Sequence, residues 1–387
     1  MQILIAPGAF KNSLSANAVA TGLARGIGQS GFEAKITLLP IADGGNGTLD
    51  AFLARGGERR SVKVDDPLGR PINVEYGLIF DSENVGESSG IAIIEMALAS
   101  GLELLSGDEL NPLKASTFGT GQLMQAALEA GARRFIVGMG GSATVDGGAG
   151  CAQALGVRFL DVDGQDIERG GGALAQVASV DASGLDPRWR DAEVIIASDV
   201  ENPTLGETGA AAVFGPQKGA SPAQVDLLEA ALTHFFTVVN DQTGVDVRDA
   251  VGGGAAGALS AGLMAFVGGK IESGIDLLLR HHNFEALLAR TDVVITGEGQ
   301  MDSQTIYGKG PVGVARLAKS YGVPTLAVVG GLNVDEALLH EAGIQAVFPI
   351  VNRPMTLEMA INNAAELVEQ TGRRIGYLLE LTQMMRD

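Results

Sequence analysis

GMGGSATVDGGAG, residues Gly138–Gly150, follows the apolar run Phe135-Ile136-Val137 and leads into a small-residue helical stretch, Ala149–Leu155. A strand, a loop rich in glycine and hydroxyls, and a helix start are the parts of an anion cradle. Glycines let the backbone approach a phosphate, unpaired N–H groups point at it, and the helix dipole favours negative charge there. No Lys-Ser/Thr follows the glycines, so this is not a P-loop. Gly138-x-Gly140-x-x-Ala143 also fits the dinucleotide fingerprint, with Asp161 after Val157–Leu160 near the ribose position. A tight turn that holds no ligand is the third reading of the same residues.

Working outward, the N-terminal part repeats strand, loop, helix. Gln2–Ala6 reads as a buried strand, Ser15 as the cap of a helix reaching about Gly28, and Ala34–Ile41 as a second strand ending in ADGGNGT, Ala42–Thr48. From about Gly57 the texture changes. Arg60–Val64 and Ile72–Phe80 alternate around Pro67-Leu68-Gly69, which predicts an antiparallel pair, and Ile91–Met96, Phe135–Val137 and Val194–Ala197 read as further strands. Gly119–Ala130 reads as a helix entered through STFGTG, and a small-residue helix lies between Gly252–Gly257 and Gly268-Gly269.

Near Asp292 the first texture returns. Asp292–Thr296 predicts a strand ending in the loop GEGQMDSQT, Pro311–Tyr321 a helix, and Thr325–Val329 a strand ending in the loop Gly330–Asn333. Val334–Glu341 reads as a helix, Ala346–Ile350 as a last strand, and Leu357–Leu381 as one long final helix. The expected class is α/β with two α/β domains: a doubly wound parallel sheet of about five strands from residues 1–59 and 289–387, interrupted by an inserted mixed α/β domain over residues 60–288.

The 387 residues are too many for a typical single core, and 46% hydrophobic with 19% charged residues describes a folded chain. The net charge of −19 argues against nucleic acid and anionic membrane surfaces as partners, because phosphate backbones need a basic face. MQILIAPGAF lacks the build of a signal peptide, and no run approaches eighteen apolar residues. Cys151 is the single cysteine, read as a buried small hydrophobe, which fits a cytoplasmic setting. The four histidines, His234, His281, His282 and His340, show no zinc spacing and no catalytic arrangement.

Chemistry therefore falls to the loops at the carboxyl ends of the strands, where open parallel sheets bind ligands. The outer part offers Gly8–Ser13, Asp43–Thr48, Gly297–Lys309 and Gly330–Asn333; the inserted part offers Gly138–Asp146 and Asp199–Lys218, and a cleft between the domains is expected to gather them. Three kinds of group occur there. Glycine-rich backbone and hydroxyls suit phosphate; Asp43, Asp146, Asp199, Glu298 and Asp302 suit a magnesium ion or the deprotonation of an alcohol; Lys11, Lys218 and Lys309 suit an anion. Phosphoryl transfer needs all three, whereas hydride transfer needs neither a metal nor several lysines. The plainer alternatives are helix caps for Asp43, Asp146 and Asp302, a turn role for Asp199, and solvated surface charges for Lys218 and Lys309.

At this point the chain resembles the bacterial glycerate kinases of the glycerate 2-kinase type over almost its whole length. The stretches that carry the resemblance are ILIAPGAFKNSLSA, IADGGNGT, DPLG, IEMALASGLELL, GTGQL, GGSATVDGGAG, GLDPR, ASDVENP, FGPQKGA, SGIDLLL, VVITGEGQMDSQT and GKGPVGVA, in order along the chain. It implies ATP-dependent, Mg2+-requiring phosphorylation of D-glycerate at the 2-hydroxyl. The residues then expected to be catalytic are Asp43, Asp199, Lys11 and Lys218, with Asp302 and Asp199 on the metal. Substrate and phosphate contacts are expected from Gly44, Gly45, Gly47, Thr48, Gly140, Gly141, Ser142, Thr144, Gln217, Gly297, Glu298, Gly299, Ser303 and Lys309. The chain departs from the family pattern at Gly8, Asn46, Phe118, Val145 and Gln300, which bears on substrate choice and rate. The alternatives are a kinase for another small hydroxy acid, a non-catalytic relative that binds such ligands, and an NAD(P)-dependent dehydrogenase built on Gly138–Ala143 and Asp161. A homodimer is left open.

Overall fold

The structure, a computed structural model, describes residues 1–80, 90–303, 305–307 and 310–385. Its strands in chain order are β1 (Gln2–Pro7), β2 (Lys35–Leu38), β3 (Glu58–Asp65), β4 (Pro71–Ile79), β5 (Gly90–Glu95), β6 (Ala132–Gly138), β7 (Arg158–Leu160), β8 (Ser179–Asp181), β9 (Glu193–Ala197), β10 (Lys270–Glu272), β11 (Val293–Asp302), β12 (Thr325–Asn333) and β13 (Ile344–Pro349). The chain divides into two compact units. One holds Met1–Asp43, Asp50–Arg55 and Ile275–Asp387; the other holds Gly44–Leu49 and Gly56–Gly274.

The first unit is built on a five-stranded parallel sheet in the order β13-β12-β11-β1-β2. Its apolar strands bury both faces. On one side Ile3, Ile5, Ile295 and Val328 pack against Val19, Leu23 and Ile27 of the Ala16–Gln29 helix and Leu367, Val368 and Ile375 of the Ala364–Met384 helix. On the other, Met301, Ala327 and Val329 pack against Val312 and Ala315 of the Pro311–Ser320 helix and Leu339 of the Glu336–Glu341 helix. Helices on both faces make the sheet doubly wound, as expected. Ser15 caps the first helix by accepting from the Ala18 amide.

Chain direction fixes where such a sheet can bind. From β1 the chain passes through the Ala16–Gln29 helix to β2 on one side; from β11 it passes through the Pro311–Ser320 helix to β12 on the other. The order therefore reverses between the neighbours β1 and β11, and the space beyond their carboxyl ends is the switch point where ligands sit in this architecture.

Two expectations here need correction. GEGQMD and Gly330–Asn333 are not loops: β11 and β12 run on as paired strands, with Gln300 opposite Gly331 and Asp302 opposite Asn333. Glycine in these strands serves close backbone approach, since a side chain on Gly297 would overlap the Val328 carbonyl. The final helix is also two helices, Leu357–Asn362 and Ala364–Met384, parted at Asn363.

The second unit carries a six-stranded mixed sheet in the order β10-β9-β6-β5-β4-β3. The expected hairpin, β3 with β4, is antiparallel, as is β4 with β5; β5, β6, β9 and β10 run parallel. One core fills the space around Phe135, Val137, Leu123 and Trp189, and a second lies around Phe159, Phe235, Phe236 and Leu232.

The dinucleotide reading is overturned by this topology. That motif needs its two strands parallel in one sheet, but β7 pairs with β8, antiparallel, in a two-stranded sheet separate from the one that holds β6. Asp161 accepts from the amides of Asp163 and Gln165 at 2.9 Å each, closing a turn on the surface.

Candidate active site

In the first unit the strand ends bring four of the expected residues together. Lys11 lies on the loop after β1, Asp43 on the segment after β2, and Glu298 and Asp302 on β11. The loop after β1 is pinned to β11: the Gly8 amide donates to the Gly297 carbonyl at 2.7 Å, and Gly299 abuts the Phe10–Lys11 backbone so closely that a Cβ would lie 3.1 Å from the Phe10 Cα. Residues two apart on a strand share a face, so Glu298, Gln300 and Asp302 line one face while Met301 is buried on the other.

Glu298 is the chemically distinctive member. Burial pushes its carboxyl up to about 7, and the negative charges of Asp43 and Asp302 push in the same direction. A hydrogen bond from Thr305 Oγ1 to Oε1, 2.7 Å, and the charge of Lys11 oppose the rise without cancelling it. The Thr305 hydroxyl also accepts from the Asp302 amide at 3.2 Å, which ties the two acids into one local network. Asp302 is the last residue of β11. Ser303 is exposed, and Lys309 lies outside the described residues.

In the second unit, Gly44–Thr48 lies against the Gly138–Gly150 stretch. The Gly140 amide donates to the Gly44 carbonyl at 2.9 Å. A Cβ on Gly138, Gly140 or Gly141 would run into Gly44, Gly45 or Asn46 respectively. These glycines are spent on bringing two backbones together, and several amides that a phosphate would need are already bonded within the protein. The amides of Gly47 and Leu49 go to the buried carboxylate of Glu95, 3.0 Å each, and Thr48 Oγ1 donates to the Gly45 carbonyl at 2.6 Å. Asn46 Nδ2 donates to Glu103 at 2.8 Å.

Asp146 is fully buried and accepts from the Thr117 amide and hydroxyl and from the amides of Gly148 and Gly150 at the start of the Ala149–Ala154 helix. The N-cap of that helix is Gly148 and not Asp146, whose carboxylate bonds the helix start from two residues ahead of the cap. Burial pushes its carboxyl up, against those hydrogen bonds. Lys218 is not a solvated surface charge: it is buried, its Nζ donating to Ser142 Oγ and to the Thr144 carbonyl at 2.7 Å each. Desolvation lowers it to about 7, with Asp146 acting the other way. Gln217, beside it on the Pro216–Lys218 turn, is exposed, and Asp199 follows the end of β9. Cys151 is buried, its thiol pushed strongly up by desolvation, as an inert side chain should be.

The residues missed at the sequence level are Glu95 and Thr305. Glu95 closes the apolar run Ile91–Ile94, and an acid at the carboxyl end of a buried strand was the available signal. Thr305 carried none, because its role depends on how the chain turns after β11. Among the described residues there is no group of three His, Cys, Asp or Glu that could hold a metal ion by itself. None of the described helices is long and apolar enough to cross a membrane.

Comparison with known proteins bears on this arrangement. The profile of the glycerate kinase family matches residues 3–380. A glycerate kinase of Halalkalibacterium halodurans is 46% identical over 374 residues, 96% of this chain and 97% of that protein. The glycerate 2-kinase of Escherichia coli K12 is 42% identical over 382 residues, 98% of each chain. The crystal structure of a protein described as a glycerate kinase 2 from Salmonella typhimurium LT2 superposes with a TM-score of 0.84 at 45% identity, covering 99% of both chains.

Proposed function

This chain belongs to the glycerate kinase family, and from that premise we propose that it transfers the γ-phosphoryl group of ATP to a hydroxyl of D-glycerate, giving 2-phospho-D-glycerate. The observation that carries the chemistry is the gathering of Lys11 and Asp43, which follow β1 and β2, with Glu298 and Asp302 on the carboxyl-terminal half of β11, at the switch point of a parallel sheet.

Glu298 is the proton acceptor for the attacking hydroxyl. A general base works best when its affinity for protons matches the operating pH, and a partly buried carboxyl beside two other acids meets that condition. Lys11 neutralises the carboxylate or phosphate charge brought in by the substrates. Asp43 keeps Glu298 basic. Departures from the family pattern at Gly8 and Gln300 sit beside these groups and bear on which hydroxy acid fits.

The donor set at this end of β11 is oxygen only, which suits Mg2+, a hard cation that takes one or two carboxylates together with phosphate oxygens. Asp302 would hold it, together with oxygens of the nucleotide. When bound, the ion neutralises charge on the phosphate oxygens. A cytoplasmic location belongs to the same proposal.

A coupled assay of ADP release with D-glycerate, ATP and Mg2+ tests the reading. Glycerate-dependent ADP release supports it; release with another hydroxy acid alone changes the substrate; none with any hydroxy acid removes it.

A further inference from the structure

The segment Ser142–Asp146 is organised by a cation that the reaction scheme above does not use. Lys218 is 1% exposed. Its Nζ donates to Ser142 Oγ and the Thr144 carbonyl. Asp146 is the charged group acting on it, yet Asp146 takes its own hydrogen bonds from Thr117, Gly148 and Gly150. A buried ammonium is expensive, and an apolar side chain of similar volume usually serves stability better. Something other than stability retains it.

The hydroxyls on the segment indicate what. An ammonium is a donor only, so Ser142 must accept from it, and the Ser142 proton is left to point elsewhere. No acceptor for that proton occurs among the described residues, and Thr144 Oγ1 is buried with no hydrogen-bond partner among them. Ser142 lies next to the exposed Gly141. A hydroxyl whose oxygen accepts from a cation is also a stronger donor through its own proton.

The backbone of the segment is clamped from a second direction. Gly257, at φ +67°, presses on Thr144, where a Cβ would overlap the carbonyl oxygen, and its own carbonyl accepts from the Gly147 amide at 3.1 Å. Ala256 and Ala258 beside it are held left-handed too, at φ 54° and 66°, an arrangement alanine adopts only under constraint.

We propose that Lys218 is a positioning residue: by occupying the Ser142 oxygen and the Thr144 carbonyl, it makes the Ser142 hydroxyl a fixed donor to an anionic oxygen of a ligand held by this unit. The proposal rests on the kinase reading. Its consequence is a pH dependence, because a neutral amine can accept from Ser142 and release that orientation. Burial brings this change to about pH 7.

The test compares wild type, Lys218→Met, Ser142→Ala and the double variant in glycerate-dependent ADP release across pH. Lys218→Met should stay folded, lose at least tenfold in kcat/KM, and lose the alkaline limb of the profile. Ser142→Ala should reproduce the loss, and the double variant should be no worse than the worse single one. Rates within twofold of wild type in folded Lys218→Met, or losses that multiply in the double variant, overturn the proposal. Should Lys218→Met fail to fold, Ser142→Ala decides: an unchanged rate and alkaline limb overturn it. A wild type inactive on every hydroxy acid refutes the kinase reading instead. The melting temperature with inorganic phosphate then decides: stabilisation of wild type that both single variants lose supports the anion role, and stabilisation that survives in either, or is absent in wild type, overturns it.

Discussion

Replacing Glu298 by Gln should make the protein more stable at alkaline pH while removing its activity. The ordinary value for a glutamate is 4.5, and in the folded protein it is about 7. The folded state therefore binds more protons between those two values, and stability falls as pH rises through about 7. Above that, the wild type carries the cost of a partly buried charge next to Asp43 and Asp302. At about 1.36 kcal/mol per pH unit the gap amounts to about 3 kcal/mol as an upper limit. Gln carries no charge and keeps an oxygen for Thr305 Oγ1, so the variant escapes the cost without losing that hydrogen bond. For a unit of this size about 3 kcal/mol raises the melting temperature by about 6–12 °C. Thermal and urea unfolding of both proteins at pH 5 and pH 8, without divalent cation, measures it. Glu298→Gln should gain at pH 8 and gain far less at pH 5. A variant no more stable than wild type at pH 8, or one with an equal gain at both pH values, would refute the reasoning.

Lys218 has the opposite sign. Its folded value is lowered from 10.5 to about 7, so the cost of the buried ammonium is fully present below about 7 and is relieved as pH rises toward 10.5. Urea unfolding at pH 7 and pH 9.5 should show wild type gaining stability relative to Lys218→Met over that interval. Gly44 has φ +94°, and a Cβ there would overlap the Ala197 carbonyl. Gly44→Ala should therefore cost about 3 kcal/mol or more, read as a lower urea midpoint, since neither strained backbone nor a backbone clash can be relieved by a rotamer change. Asp161→Ala should leave kcat/KM within about twofold of wild type, because this carboxylate only closes a surface turn, and neither protein should show saturable NAD(P)H fluorescence changes.

The first sheet was legible because its strands are short apolar runs ending at glycine or proline, and Ser15 marks its helix start unambiguously. β11 and β12 were cut short for a physical reason. Gly297, Gly299, Gly330 and Gly331 are loop signals in sequence, yet here they admit neighbouring backbone or side-chain atoms into a continuing pair of strands. The same ambiguity affected Gly138–Gly141. A glycine that lets a phosphate approach and one that lets another loop approach both simply lack a Cβ, and only the position of Gly44–Asn46 separates them. Lys11, Asp43, Glu298 and Asp302 stand out in the sequence because strand ends are where parallel sheets bind ligands, and the structure brings these four near one another. The raised carboxyl of Glu298, on which its proposed role as base rests, depends on burial and on neighbours far apart in sequence. The burial of Lys218 was not legible, because burial of a lysine is rare enough that sequence argues against it.

The most direct measurement is the pH dependence of kcat/KM for D-glycerate in wild type and Glu298→Gln. With Glu298 as the proton acceptor, the wild type should show an acid limb with an apparent pKa near 7. Glu298→Gln should be slower by at least about a hundredfold and lack that limb. A Glu298→Gln enzyme with wild-type rates and an unchanged acid limb would contradict the account.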